Sequence, residues 1–153
     1  MKARDVMTVD VVMLAPETPV PEIVRVFRSK TITGAPVVEA GKVIGIITET
    51  DLIARHARPH SPLYLPLLDA RIPLGGQREY NEIVRHILGT TARDIMTAPV
   101  TTVDADMDVE EVATLMVERN ANPLPVLSDG RLVGIITRTD LIAHLEEVQA
   151  TAA

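Results

Sequence analysis

The sequence predicts a mixed α+β (α/β) fold built from two copies of one β-α-β-β-α unit, joined by an inserted segment. Three observations carry that prediction. Shifting the chain by 89 positions lays Arg4-Asp5-Val6-Met7-Thr8 on Arg93-Asp94-Ile95-Met96-Thr97 and residues 45–54 on residues 134–143. Over residues 4–56 this gives 19 identities without a gap, which marks two copies of one supersecondary unit. The apolar periods also change in the same order in both copies. Composition supplies the third observation: 46% of the 153 residues are apolar and 24% charged, enough to build a core. Phe27, Tyr64 and Tyr80 are the only rings, so that core must be aliphatic.

Each element follows from local pattern. Val11-Val12-Met13-Leu14 and Val100-Thr101-Thr102-Val103 are short apolar or β-branched runs that read as strands. Val20, Ile23, Val24 and Phe27 recur at helical spacing, as do Val109, Val112, Ala113 and Met116, so each set forms one face of an amphipathic helix. Ala35-Pro36-Val37-Val38 and residues 42–47 are separated by Glu39-Ala40-Gly41, and the second copy repeats the arrangement around Ser128-Asp129-Gly130. An Asp-Gly pair between β-branched runs is a hairpin signal. Thr48 and Thr137 then open a closing helix that carries Leu52-Ile53 and Leu141-Ile142. The expected organisation is repeat 1 over 1–58, an inserted linker over 59–91 and repeat 2 over 92–149.

The linker has no counterpart elsewhere in the chain. Pro59, Pro62, Pro66 and Pro73 prevent it from being one helix, whereas Tyr80, Ile83, Val84, Ile87 and Leu88 fall on a single helical face. That face needs an apolar partner, either the second repeat or another molecule.

Charge and composition exclude several function classes. With 15 basic against 21 acidic side chains the net charge is −6, which argues against a general nucleic-acid binder, and the scarcity of rings removes base-stacking platforms. The acidity is uneven, at +1 over residues 1–58, 0 over 59–91 and −7 over 92–153. The absence of Cys excludes disulfides, thiolate catalysis and Cys-ligated metals. No run approaches the roughly 20 apolar residues that span a bilayer, and a cytoplasmic, non-membrane protein is expected. His56 and His60 have metal-ligand spacing, but Pro59 breaks the helix that would align them. Ser29, Ser61 and Ser128 lie outside any nucleophile-elbow setting, and Gly75-Gly76 lacks the Lys and Ser/Thr of a phosphate loop. No enzyme is expected.

Thr48-Glu49-Thr50-Asp51 and Thr137-Arg138-Thr139-Asp140 carry two readings. One is a capping box, with Thr as N-cap and an acid three residues on. The other is a ribose and phosphate site, in which the carboxylate accepts from vicinal hydroxyls while the Thr hydroxyl and free helix amides face an anion. Both can coexist if one oxygen caps the helix and the other stays free.

Three motifs in register, the Met-Thr entry, the apolar-Pro-Val strand and the Gly-apolar-apolar-Thr-x-x-Asp run, make each copy resemble a CBS repeat, the module named after cystathionine β-synthase. The tandem resembles a Bateman module. The resemblance implies packing about a pseudo-twofold axis with two clefts, frequent pairing into a homodimer, and binding of an adenine nucleotide (AMP, ADP or ATP) as a regulatory ligand without any required cofactor. Carried over residue by residue, it implies Thr48, Asp51, Ala35 and Val37 for one site, and Thr137, Asp140, Leu124 and Val126 for the other. Arg138 replaces Glu49 in the second copy and suits phosphate, which favours the Asp140 site, with Arg119 a further basic candidate. The expected function is a regulatory module acting in trans on an effector protein. A structural assembly module without ligand and a sensor of S-adenosylmethionine are the alternatives.

Overall fold

The computed structural model of the chain describes residues 1–56, 63–67 and 70–152; of 63–67, 70–74, 147–149, 151 and 152 it describes the backbone alone. The first copy comprises α1 (Ala3–Val6), α2 (Val20–Lys30), β1 (Gly34–Glu39), β2 (Lys42–Thr48) and α3 (Glu49–Ala54). The inserted segment forms β3 (Leu63–Leu67), β4 (Ala70–Gly75) and α4 (Gln77–Leu88). The second copy comprises α5 (Ala92–Ile95), β5 (Val103–Asp104), α6 (Val109–Glu118), β6 (Leu124–Ser128), β7 (Arg131–Ile136) and α7 (Arg138–Ala152).

In both copies an antiparallel hairpin forms where the sequence predicts one, β1 with β2 and β6 with β7. Its turns are made by Ala40-Gly41 (φ 51° and 78°) and Asp129-Gly130 (φ 51° and 75°), and paired left-handed residues match the twist of two-residue hairpins. Most of each predicted helical stripe is buried, with Val24 the exception at 39% exposure. Val20, Ile23 and Phe27 of α2 pack with Ala35, Val37 and Ile47, while Val112 and Met116 of α6 pack with Leu124, Val126 and Ile136.

The packed halves do not follow the sequence copies. Ala92 and Ile95 of α5 lie in the first core and Ala3 of α1 in the second, so each copy lends its opening helix to the other. Backbone hydrogen bonds fix the exchange: Ala92 N donates to Thr18 O at 2.9 Å and Arg93 N to Pro16 O at 2.9 Å, and the positions 89 residues away repeat it, Ala3 N to Met107 O at 2.8 Å and Arg4 N to Ala105 O at 3.0 Å. Thr97 then exchanges both backbone bonds with Ile46, and Thr8 with Ile135. The motif glycines make room for the exchanged segments. A Cβ on Gly45 would strike the Met96 side chain, with Cγ at 2.7 Å, and one on Gly134 would strike Met7 in the same way, also at 2.7 Å.

The strand predicted at 11–14 shrinks to a single parallel bridge between Leu14 and Val37, and its counterpart to the two residues of β5 beside β6. These runs leave the sheet to line clefts, which is where Val11, Val12, Val100 and Thr101 are found. The β3–β4 ribbon was not legible, because Pro66 and Pro73 demote both runs; a two-stranded ribbon tolerates them since both strands are edges. His60 and its metal spacing lie outside the described residues.

Candidate nucleotide-binding clefts

The helix-opening motifs form as capping boxes in both copies. Asp51 Oδ2 accepts from Thr48 N at 2.8 Å and from Thr48 Oγ1 at 3.3 Å. Asp140 Oδ2 accepts from Thr137 N and Thr137 Oγ1, both at 2.7 Å. The two remaining oxygens differ. Asp140 Oδ1 meets Thr8 Oγ1 at 3.5 Å, at the limit of a hydrogen bond, whereas Asp51 Oδ1 accepts from Thr97 Oγ1 at 3.1 Å and lies 2.8 Å from His86 Nε2. Asp51 is correspondingly buried, at 6% exposure, and Asp140 is half-buried.

Asp51 sits in a cleft of about 690 Å³, within the range of small-molecule sites. Repeat 1 supplies Thr33, Thr48, Glu49 and Thr50 to its wall, and repeat 2 supplies Thr97, Val100, Arg119, Asn120, Asn122 and Arg138. Arg138 therefore does not join Asp140, its neighbour two residues on. Positions two apart on a helix do not face each other, and Arg138 turns to Asn120, whose Oδ1 accepts from Nη2 at 3.2 Å, while Asn122 Oδ1 accepts from Arg138 N at 3.0 Å. Asn120 can take this place because it ends α6 in the left-handed conformation, φ 47°, which Asn tolerates well. With Asp51 facing His86, the cleft sets two guanidiniums against the single carboxylate of Glu49, an arrangement suited to an anionic group.

Asp140 occupies a smaller cleft of about 320 Å³ with Thr8, Asp10, Thr31, Thr33, Thr137 and Thr139. Hydroxyls and two carboxylates line it, with no Lys or Arg among its described walls.

Ala35, Val37, Leu124 and Val126 are fully buried in the two cores, away from either cleft wall. The residues just before Ala35 and Leu124 reach the clefts instead, and they do so crosswise: Gly34 lines the Asp140 cleft and Pro123 the Asp51 cleft. Sequence reasoning missed Thr97, Thr8 and His86. A signal existed for the two threonines, since both belong to the repeated Met-Thr motif. For His86 there was none, because its partner Asp51 stands 35 positions away. The α4 stripe is also rotated from expectation: Leu88 is 72% exposed, and His86 is the buried residue.

The CBS-domain family model matches residues 3–58 and 92–147. The chain belongs to the CBS-domain family. It is a tandem CBS pair, and its mixed α+β architecture is that of CBS-pair structures. Among relatives, the Methanocaldococcus jannaschii protein MJ1426 is 36% identical over 95% of this chain and 91% of its own length. Among solved structures, CBSX2 in complex with AMP, a protein of Arabidopsis thaliana, superposes with a TM-score of 0.76 at 23% identity, covering 96% of this chain and 97% of that one. The CBS pair of MJ0100, solved with 5′-methylthioadenosine and S-adenosyl-L-methionine, gives 0.68 at 24% identity over 97% and 98%. Among the described residues of this CBS pair, no helix is long and apolar enough to cross a membrane.

Proposed function

We propose that this CBS pair is a cytoplasmic regulatory module, not an enzyme, that binds an adenine nucleotide (AMP, ADP or ATP) in the Asp51 cleft and acts in trans on an effector protein as a sensor of energy or metabolite state. The observation that carries the reading is the meeting of Arg119 and Arg138 with Thr48 and Asp51 in one cleft of about 690 Å³. The guanidiniums supply bidentate donors for phosphate, and the carboxylate and Thr48 supply partners for ribose. AMP in complex with CBSX2 supports adenine as the base. A nucleotide at 100 times its Kd stabilises the fold by about 2.7 kcal/mol, so a thermal-shift series with AMP, ADP, ATP, S-adenosylmethionine and no ligand tests it. A rise with a phosphorylated nucleotide is expected, and no shift with any compound overturns it.

A second reading concerns the Asp140 cleft. Its walls carry Asp10 and Asp140 without a described cation, which favours a neutral or cationic adenosine compound such as S-adenosylmethionine over a phosphate ester. Both ligands change the protein only through their differential affinity for two arrangements of the repeats. We further propose a homodimer through α3 and α7, where Ile53 and Ile142 stand at equivalent positions with 70% and 58% exposure.

A further inference from the structure

The Asp51 carboxylate is saturated. Each of its oxygens holds two donors, Thr48 N and Oγ1 on Oδ2, Thr97 Oγ1 and His86 Nε2 on Oδ1. A carboxylate offers about four acceptor positions, so none is left for a ligand hydroxyl. His86 comes from outside both CBS repeats, on the inserted helix α4. Its other ring nitrogen, Nδ1, lies 2.8 Å from Glu82 O. Both ring nitrogens of His86 therefore face acceptors of the protein itself. A second contact holds the same helix end: Arg55, four residues after Asp51 and just past the end of α3, donates through Nη1 to His86 O at 2.9 Å and also to Gly89 O.

We propose that the Asp51–His86 contact is a latch that docks α4 against α3 while the cleft is empty, and that a ligand with a vicinal diol opens it. The proposal rests on the ribose role given to Asp51 above. Oδ2 is committed to the cap of α3, so two ligand hydroxyls must both take Oδ1, and they displace Thr97 Oγ1 and His86 together. Released from Asp51, α4 loses one of its two polar ties to this end of α3 among the described residues, the Arg55 contact being the other. Its loosening is then the signal that a separate protein can read. The other cleft carries no such device: Asp140 Oδ1 has only the 3.5 Å approach of Thr8 among the described residues.

Competition for one oxygen is reciprocal. The factor by which AMP loosens α4 equals the factor by which loosening α4 tightens AMP. Hydrogen exchange over residues 78–88 and AMP titration, both on the full chain, measure the two sides. In wild type, saturating AMP should accelerate exchange of α4 by about fivefold or more, the lower end of ordinary coupling. His86→Leu and Arg55→Gln should each accelerate exchange without AMP and raise AMP affinity by a similar factor. Arg55→Gln leaves Asp51 and its donors intact, so it reports on docking even if His86→Leu folds poorly. AMP binding that leaves α4 exchange unchanged, or an affinity that stays level or falls in both variants, overturns the latch and leaves the nucleotide reading standing. A wild type that binds neither AMP nor adenosine overturns both.

Discussion

The two clefts descend from one repeated motif and have acquired opposite chemistry. The Asp51 cleft is the larger, carries Arg119 and Arg138, and holds a carboxylate already bound by four donors. The Asp140 cleft is half the size, carries Asp10, and keeps one carboxylate oxygen nearly free. Positions 30 and 49 of the first copy are Lys and Glu where positions 119 and 138 of the second are both Arg. Because cleft walls are shared between the halves, Arg119 and Arg138 of the second copy charge the cleft of the first. Duplication followed by exchange lets a change in one repeat tune the site centred on the other.

Removing each carboxylate in turn should separate the two clefts most widely. Asp51→Ala loses a cap and also leaves the buried His86 ring without its partner, which should add about 1–3 kcal/mol, whereas Asp140→Ala loses only a cap and should cost about 1 kcal/mol. Chemical denaturation of the two variants reads the gap, and His86→Leu added to Asp51→Ala should recover part of the loss. Equal costs would show that His86 contributes nothing to Asp51. The exchanged segments should behave alike instead. Gly45→Ala and Gly134→Ala each press a Cβ into the opposite copy's Met and should lose about 1–3 kcal/mol; a loss in one alone would break the pseudo-symmetry.

The smallest effect concerns the opening of α5. Asp94 Oδ2 accepts from Thr90 N at 3.0 Å and Thr91 N at 3.1 Å, and these bonds hold its carboxyl below the usual carboxylate value against the opposing pull of burial. A lowered folded-state pKa means that the stabilisation is present above the unfolded value of about 3.9 and is lost as pH falls through the folded one. Asp94→Asn should therefore lower Tm slightly at pH 7 and match wild type near pH 2. A deficit that persists in acid would assign the loss to something other than the ionised carboxylate.

Much of this architecture is legible in the sequence because it depends on local pattern. The hairpins follow from Ala40-Gly41 and Asp129-Gly130, the helices from their apolar stripes, and both capping boxes from Thr-x-x-Asp. What escaped depends on contacts distant in sequence. Arg138 reads as a partner of Asp140 because they are two residues apart, yet the helix turns them to different clefts. Ala35, Val37, Leu124 and Val126 are core residues, and the positions just before them face the clefts. His86 was invisible because nothing local distinguishes it on an amphipathic helix; docking of α4 on α3 alone brings it to Asp51. The opening strand at 11–14 reads as β from its valines, but those side chains serve a cleft wall.

If guanidiniums of the second copy hold an anionic ligand in the cleft of the first, the ratio of AMP to adenosine affinity depends on them. Wild type should prefer AMP, and Arg119→Gln/Arg138→Gln should lose about 100-fold in AMP affinity while binding adenosine as before, since each hydrogen bond to a charged group is worth about 1.5–3 kcal/mol. Lys30→Gln, the change at the equivalent position of the other copy, should leave the ratio untouched. A ratio that survives the arginine replacements, or collapses with Lys30→Gln, would place the phosphate outside the Arg119–Arg138 pair.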